Sequence, residues 1–264
     1  MMMEGLKTVP LADWGIFPED KPWLIAGPCS VESELQIAET ARQLKASLGD
    51  RLGVLRAGVW KLRTHPGGFE GVGAESLPWL LRVRRETGLK ICTEVICGDH
   101  VRACLDAGVD MIWIGARTTP NPYLVQDIAD ALQGADIPVL VKNPIGNDLE
   151  LWSGALERLA CRGVRKLGLV HRGVSSLTEK QLRNDPAWDL AARMHALYPE
   201  LPILFDPSHI AGMTAYIPAL CRQALDKGFD GLMIESHYRP VEALSDAAQQ
   251  LTPADLASLL ESLK

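Results

Sequence analysis

The stretch "MIWIGARTTPNPYLVQDIADALQGADIPVLVKNP", residues 111–144, reads as strand, helix, strand. Its ends, "MIWIGAR" and "PVLVKNP", are short apolar runs of the kind a fully buried strand needs. The middle, "YLVQDIADALQG", is amphipathic and stops at a glycine, the residue favoured just past a helix C-terminus. The same unit recurs on both sides. The runs "WLIAGPC", "GVLRAGVWK" and "KICTEV" precede it, and "KLGLVHRG", "PILFDPSH" and "GLMIESH" follow it. Helix-like segments such as "ELQIAETARQLKASL", "SLPWLLRVRRETG" and "LELWSGALERLACRG" lie between them, and the tail "ADLASLLESLK" supplies the last. Eight strands alternating with eight helices predict an α/β fold, the (β/α)8 TIM barrel, as a single domain over residues 23–264 behind a short N-terminal extension, residues 1–22. An open doubly wound sheet shares the alternation, but eight strands without a GxGxxG turn after the first favour closure.

Composition bounds the function. A chain of 264 residues with 47% apolar and 23% charged residues can bury a large core without staples. Its formal charge of −6 argues against nucleic acid as a partner, which usually demands a basic face. No apolar run approaches the roughly 20 residues of a membrane span, and "MMMEGLKTVPLADWGIF" lacks a signal-peptide pattern, so a cytoplasmic location without a membrane partner is expected. The six cysteines (29, 92, 97, 104, 161 and 221) form no CxxC pair and are expected as thiols.

The ends of the strand-like runs carry ionisable groups: Cys29, Arg56 with Lys61, Glu94, Arg117, Lys142, His171 with Arg172, Asp206 with His209, and Glu235 with His237. In a barrel all strand C-termini open on one face, where catalytic loops gather, so residues far apart in sequence converge on one cup. Two chemical sets emerge. Arg56, Lys61, Arg63, Arg117, Lys142 and Arg172 concentrate cations inside an acidic protein, more than one monoanion needs, and imply phosphorylated or carboxylated substrates. Cys29, His209, Glu235 and Asp246 offer a thiol, an imidazole and two carboxylates, a set suited to a divalent transition metal rather than calcium or magnesium. Spacing alone also allows Cys29 as a core thiol, His209 as a turn-stabilising side chain and Asp246 as a helix cap.

The ordered motifs "IAGPCSVES", "LRAGVWKLRT", "TEV", "IGAR", "LVKNP", "HRG", "DPSH", "IESH" and "ALSDAAQQLTP" resemble those of the 3-deoxy-D-arabino-heptulosonate 7-phosphate (DAHP) synthases, type-I beta branch. The resemblance runs from about Trp23 to Pro253. It implies a (β/α)8 barrel that condenses phosphoenolpyruvate, D-erythrose 4-phosphate and water to DAHP and phosphate at the entry of the shikimate pathway, leading to chorismate and the aromatic amino acids. It also implies one divalent metal ion (Mn, Fe, Zn or Co), held by Cys29, His209, Glu235 and Asp246. Phosphoenolpyruvate would meet Arg56, Lys61, Arg117, Lys142 and Arg172, and erythrose 4-phosphate Arg63 and Thr64. Lys61 is expected as a proton relay and Glu94 as the group that orients water.

Where those synthases read Lys-Pro-Arg-Thr, this chain has "KLRT", with Leu62 in place of proline. Proline restrains its own φ and the residue before it, so Leu62 leaves the loop less pre-organised. The related 3-deoxy-D-manno-octulosonate 8-phosphate synthases, which use arabinose 5-phosphate, read "KANR" there, and Arg63-Thr64 therefore supports the four-carbon sugar. That synthase is the alternative reading; a non-catalytic phosphate-binding barrel acting as a regulatory partner and a metal-dependent phosphate hydrolase are others. The family suggests a homo-oligomer and leaves room for association with a chorismate mutase, which is fused to some relatives. The first residues are too few for the sensing domain of others, so no feedback inhibition by aromatic amino acids on the core alone is expected.

Overall fold

The computed structural model describes residues 6–17, 22–61, 67–176 and 181–263. Eight strands, β1 (Trp23–Gly27), β2 (Val54–Arg56), β3 (Lys90–Val95), β4 (Met111–Ile114), β5 (Val139–Lys142), β6 (Leu167–His171), β7 (Ile203–Phe205) and β8 (Gly231–Glu235), pair in parallel and in sequence order. The pairing of β8 with β1, from Trp23 opposite Gly231 to Gly27 opposite Glu235, closes the barrel. Parallel neighbours need crossovers, and helices supply them: α1 (Glu34–Leu48), α2 (Leu77–Thr87), α3 (Gly98–Ala107), α4 (Pro122–Ala131), α5 (Leu149–Cys161), α6 (Trp188–Leu197), α7 (Pro207–Ala211) and α8 (Ile217–Asp226), with α9 (Pro253–Ser262) following β8. The expected (β/α)8 TIM barrel is the fold, with α7 as an addition. That single turn arises because Asp206 accepts the backbone N–H of His209 at 3.1 Å and Pro207 suits the first helical position. Among the described residues no helix is long and apolar enough to cross a membrane.

Successive strand residues face opposite sides. One set, with Leu24, Ala26, Leu55, Ile112 and Ile114, packs outward against the helices; the other, with Ile25, Val54, Cys92, Met111, Trp113, Leu140, Val170, Leu204 and Met233, fills the barrel. Two residues further along the inner face come Arg56, Glu94, Lys142, Arg172, Asp206 and Glu235. The apolar interior is thus the floor on which a charged layer stands.

At the opposite end, residues 6–17 lie against the barrel. Leu11 and Trp14 are buried in the same interior cluster as Trp23 and Val170. The Trp14 indole donates to Val9 O at 2.9 Å, and the Val9 N–H donates to Arg165 O at 2.8 Å. Gly168 makes room: a Cβ there would stand 3.2 Å from the Trp14 ring. Burying so large a ring at the barrel floor stabilises the fold, and Trp14→Ala is expected to cost about 3–5 kcal/mol, read as a lower urea midpoint. A midpoint equal to that of the parent would show that the segment is not part of the core.

Candidate active site

Gly27 and Pro28 end β1 and turn the chain into the mouth. The Gly27 backbone has φ 149°, and a Cβ there would overlap Arg56 O, so only glycine lets the two strand ends approach. Cys29 follows with its thiol buried, and its N–H donates to Gln250 Oε1 at 3.1 Å. Across the mouth Asp246 adopts a left-handed conformation, φ 50°, that folds the loop after β8 back over the opening. The thiol donates to Asp246 Oδ2 at 3.1 Å. Ligand atoms of Cys29, Glu235 and Asp246 all lie within 4.8 Å of one another.

His209 stands beside that trio, its Nε2 3.6 Å from Glu235 Oε1. Its Nδ1 pairs with Asp206 Oδ2 at 2.8 Å, and burial lowers the imidazole pKa despite the acids nearby, so the neutral ring presents Nε2 toward the site. Glu235 is fully buried. Burial alone would raise its pKa, but the cations Arg56 and Lys61 hold it below the ordinary range, as an anion. Its Oε1 makes no hydrogen bond among the described residues although Arg56 Nη2 is 3.2 Å away, because the pair is close but not aligned for one. An under-satisfied buried carboxylate oxygen beside a thiol, a second carboxylate and a neutral imidazole fits a divalent cation. The mixed S, N and O donors favour a transition metal.

Lys61 occupies the edge of this cluster, its Nζ 2.5 Å from Cys29 Sγ and 3.4 Å from Asp246 Oδ2. Against burial, which alone would lower it, the carboxylates of Glu235 and Asp246 hold the ammonium above its ordinary pKa. Burial, with Glu235 adding to it, pushes the Cys29 thiol up, so without a metal the thiol keeps its proton.

Next to the cluster a pocket is lined by Arg56, Lys61, Glu94, Gly115, Ala116, Arg117, Lys142, Arg172 and His209. The expected phosphoenolpyruvate set therefore meets in one place. Trp113, at the top of the apolar floor, carries the Arg56 guanidinium 4.9 Å and Lys142 Nζ 5.7 Å from its ring centroid. Lys142 Nζ donates to Asp206 Oδ2 at 2.7 Å, the oxygen that also meets His209, so one carboxylate joins the cation pocket to the candidate metal site. Arg172 is buried, and burial, with Arg183 and Arg117 adding to it, lowers its pKa to about 10. Buried Arg56 has Nε and Nη1 without hydrogen-bond partners among the described residues. Donors in that state point to an anionic ligand. Glu94 leans across Gly115, where a Cβ would collide with its carboxylate.

Several expectations need adjustment. Arg63 and Thr64, expected at the sugar phosphate, and Leu62 lie outside the described residues. His171 sits at a strand end but on the outward face, where it meets Trp152 and Phe205, and Nε2 is 2.5 Å from Pro186 O. Burial holds its pKa near 4, so it is a neutral anchor for the loop after β6 rather than part of the cup. His237 is likewise buried outside the cup, 3.8 Å from Glu32. Reading the sequence assigned no role to Arg183, Gln249 or Asn143. Asn143 accepts the Arg172 N–H at 2.7 Å and donates to Pro144 O and Gly173 O, tying the loop after β5 to the residue that carries the guanidinium. Only its place after Lys142 could have singled it out.

Comparison with known proteins places the chain in a family. The phospho-2-dehydro-3-deoxyheptonate aldolase of Thermotoga maritima is 34% identical over 242 residues, covering 91% of this chain and 68% of that protein. A 2-dehydro-3-deoxyphosphooctonate aldolase of Acidithiobacillus ferrooxidans is 28% identical over 260 residues, covering 92% and 88%. The crystal structure of the Thermotoga maritima DAHP synthase superposes with a TM-score of 0.82 at 31% identity, over 98% of this chain and 73% of that one. A truncated form of that enzyme gives 0.77, over 91% and 84%. The DAHP synthetase I family profile matches residues 15–264, and with the barrel, the cation pocket and the thiol–carboxylate cluster in the same frame, the chain belongs to the DAHP synthetase I family.

Proposed function

We propose that this chain is a 3-deoxy-7-phosphoheptulonate synthase, with residues 23–264 as its catalytic barrel, Arg56, Lys61, Arg117, Lys142 and Arg172 holding phosphoenolpyruvate, and Cys29, His209, Glu235 and Asp246 holding one divalent metal. The observation that carries the substrate reading is the pair of donors on buried Arg56 that have no partner among the described residues, set among other cations. A phosphate and a carboxylate on one small molecule supply the acceptors that such a pocket lacks. Arg63 and Thr64 are the proposed sugar-phosphate contacts.

In the reaction, C3 of phosphoenolpyruvate forms a bond to the aldehyde carbon of erythrose 4-phosphate while the aldehyde oxygen takes a proton. Water adds at C2 and loses one proton, and the C2–O bond to phosphate then breaks as the new C2 hydroxyl gives its remaining proton to the departing phosphate, leaving the ketone. The bound metal supplies Lewis-acid polarisation of a carbonyl oxygen. The fixed cations hold the reactants in register, an effect that reaches roughly 7–11 kcal/mol in favourable cases. In this reading Lys61, between the pocket and the cluster, delivers a proton, and Glu94 orients water. The same reading includes a homo-oligomer in a cytoplasmic setting and an association with a chorismate mutase, the latter testable by co-purification.

Phosphate release from phosphoenolpyruvate is expected only when an aldehyde is supplied, with erythrose 4-phosphate preferred to arabinose 5-phosphate and chelator abolishing turnover. Preference for arabinose 5-phosphate would select the octulosonate chemistry of the 28% identical relatives. Cys29→Ala is expected to lose bound metal and at least about a hundredfold in activity; full metal content and activity would remove Cys29 from the site. Arg172→Gln takes one fixed donor from the pocket and is expected to lower kcat/KM for phosphoenolpyruvate by about 10²–10³, measured by steady-state kinetics.

A further inference from the structure

Two carboxylates of the proposed metal site each have one oxygen already engaged. Gln249 Nε2 donates to Glu235 Oε2 at 2.6 Å, and Gln249 Oε1 accepts from Arg183 Nη1 at 2.7 Å. The same Nη1 donates to Asp246 Oδ1 at 3.0 Å. The second oxygens are Glu235 Oε1, which makes no hydrogen bond among the described residues and lies 3.2 Å from Arg56 Nη2 and 3.6 Å from His209 Nε2, and Asp246 Oδ2, which accepts from the Cys29 thiol at 3.1 Å and lies 3.4 Å from Lys61 Nζ. Glu235 Oε1 therefore faces the imidazole and Asp246 Oδ2 the thiol.

From this arrangement we infer that Gln249 and Arg183 are positioning residues that clamp Glu235 and Asp246 so that each presents a single oxygen to a divalent transition metal. The inference rests on the metal site proposed above. Gln249 is suited to the task because its amide donates at one end and accepts at the other, so it joins an anion to a cation without a net charge of its own. It is buried, and the Glu235 carboxylate that it meets is fully buried too, so the bond between them is not exchanged for water. Arg183 reaches in from the loop after β6 while Gln249 and Asp246 come from the loop after β8, so the clamp also ties the two loops across the mouth. Without it, each carboxylate loses the hydrogen bond that holds its outer oxygen, and the direction of the inner oxygen is less firmly fixed.

The test is Co(II) binding to the full chain, measured by competition with a chromogenic chelator and by the visible ligand-field spectrum. Gln249→Met keeps length and an apolar fit but removes both hydrogen bonds; Arg183→Met acts on a half-exposed side chain and leaves the buried core untouched. Each variant is expected to keep one site per chain while its Kd for Co(II) rises about 10–100-fold, with an altered ligand-field spectrum. A variant that was merely misfolded would instead lose sites while the remaining ones kept the parental Kd. That result, or a Kd within twofold of the parent in either variant, overturns the clamp. Failure of the parent itself to bind Co(II) overturns the metal reading, and the clamp with it.

Discussion

The barrel mouth buries cations and carboxylates together, and the site depends on how they neutralise one another. Glu235 is fully buried and Arg56 nearly so, their charged atoms 3.2 Å apart, and Lys142 meets fully buried Asp206 at 2.7 Å. Removing charges from water costs several kcal/mol each, and only close partners offset it. The partners are not matched one to one. Asp206 serves both Lys142 and His209, Glu235 serves Arg56 while facing His209, and Asp246 serves Lys61 and Arg183. Pocket and candidate metal cluster form one connected network, so a charge entering either part changes the balance in the other.

The network is rigid because of what lies under it. The inner faces of the strands end in an apolar layer, with Trp113 at its top, and the Arg56 and Lys142 head groups lie over that ring. Flat aromatic support limits the rotamers open to a long cation and keeps water from beneath it. Among the described residues this network leaves without hydrogen-bond partners two donor atoms of Arg56 on the pocket side and one oxygen of Glu235 on the side of the candidate metal cluster. An anion answers the first and a cation the second. A site that brings a phosphorylated enol next to a polarised aldehyde needs both within one enclosure.

Much of the site was legible in the sequence because a closed parallel barrel gathers its strand ends. Arg56, Lys142, Arg172, Asp206 and Glu235 are each the polar residue that follows an apolar run, and strand alternation sets them on the inner face two residues beyond Val54, Leu140, Val170, Leu204 and Met233. The same alternation shows why position at a strand end misleads for His171, one residue before Arg172 and so on the opposite face, against Trp152. Gln249 and Arg183 carried no such mark. They lie in loops without periodicity, and their partners are 14 and 63 residues away along the chain.

The sequence by itself determined the alternation of strand and helix, the closure into eight strands and the chemical types at the mouth, since these follow from hydrophobic period, glycine placement and residue identity. Tertiary structure alone decided which atoms meet. The direction of the Asp246 carboxylate depends on a left-handed backbone turn, the oxygen that each acid presents depends on Gln249 and Arg183, and the nearness of Lys61 to Cys29 depends on two strand ends drawn together at Gly27. Those are contacts between loops, and loop contacts are set by packing across the barrel rather than by any pattern local to the chain.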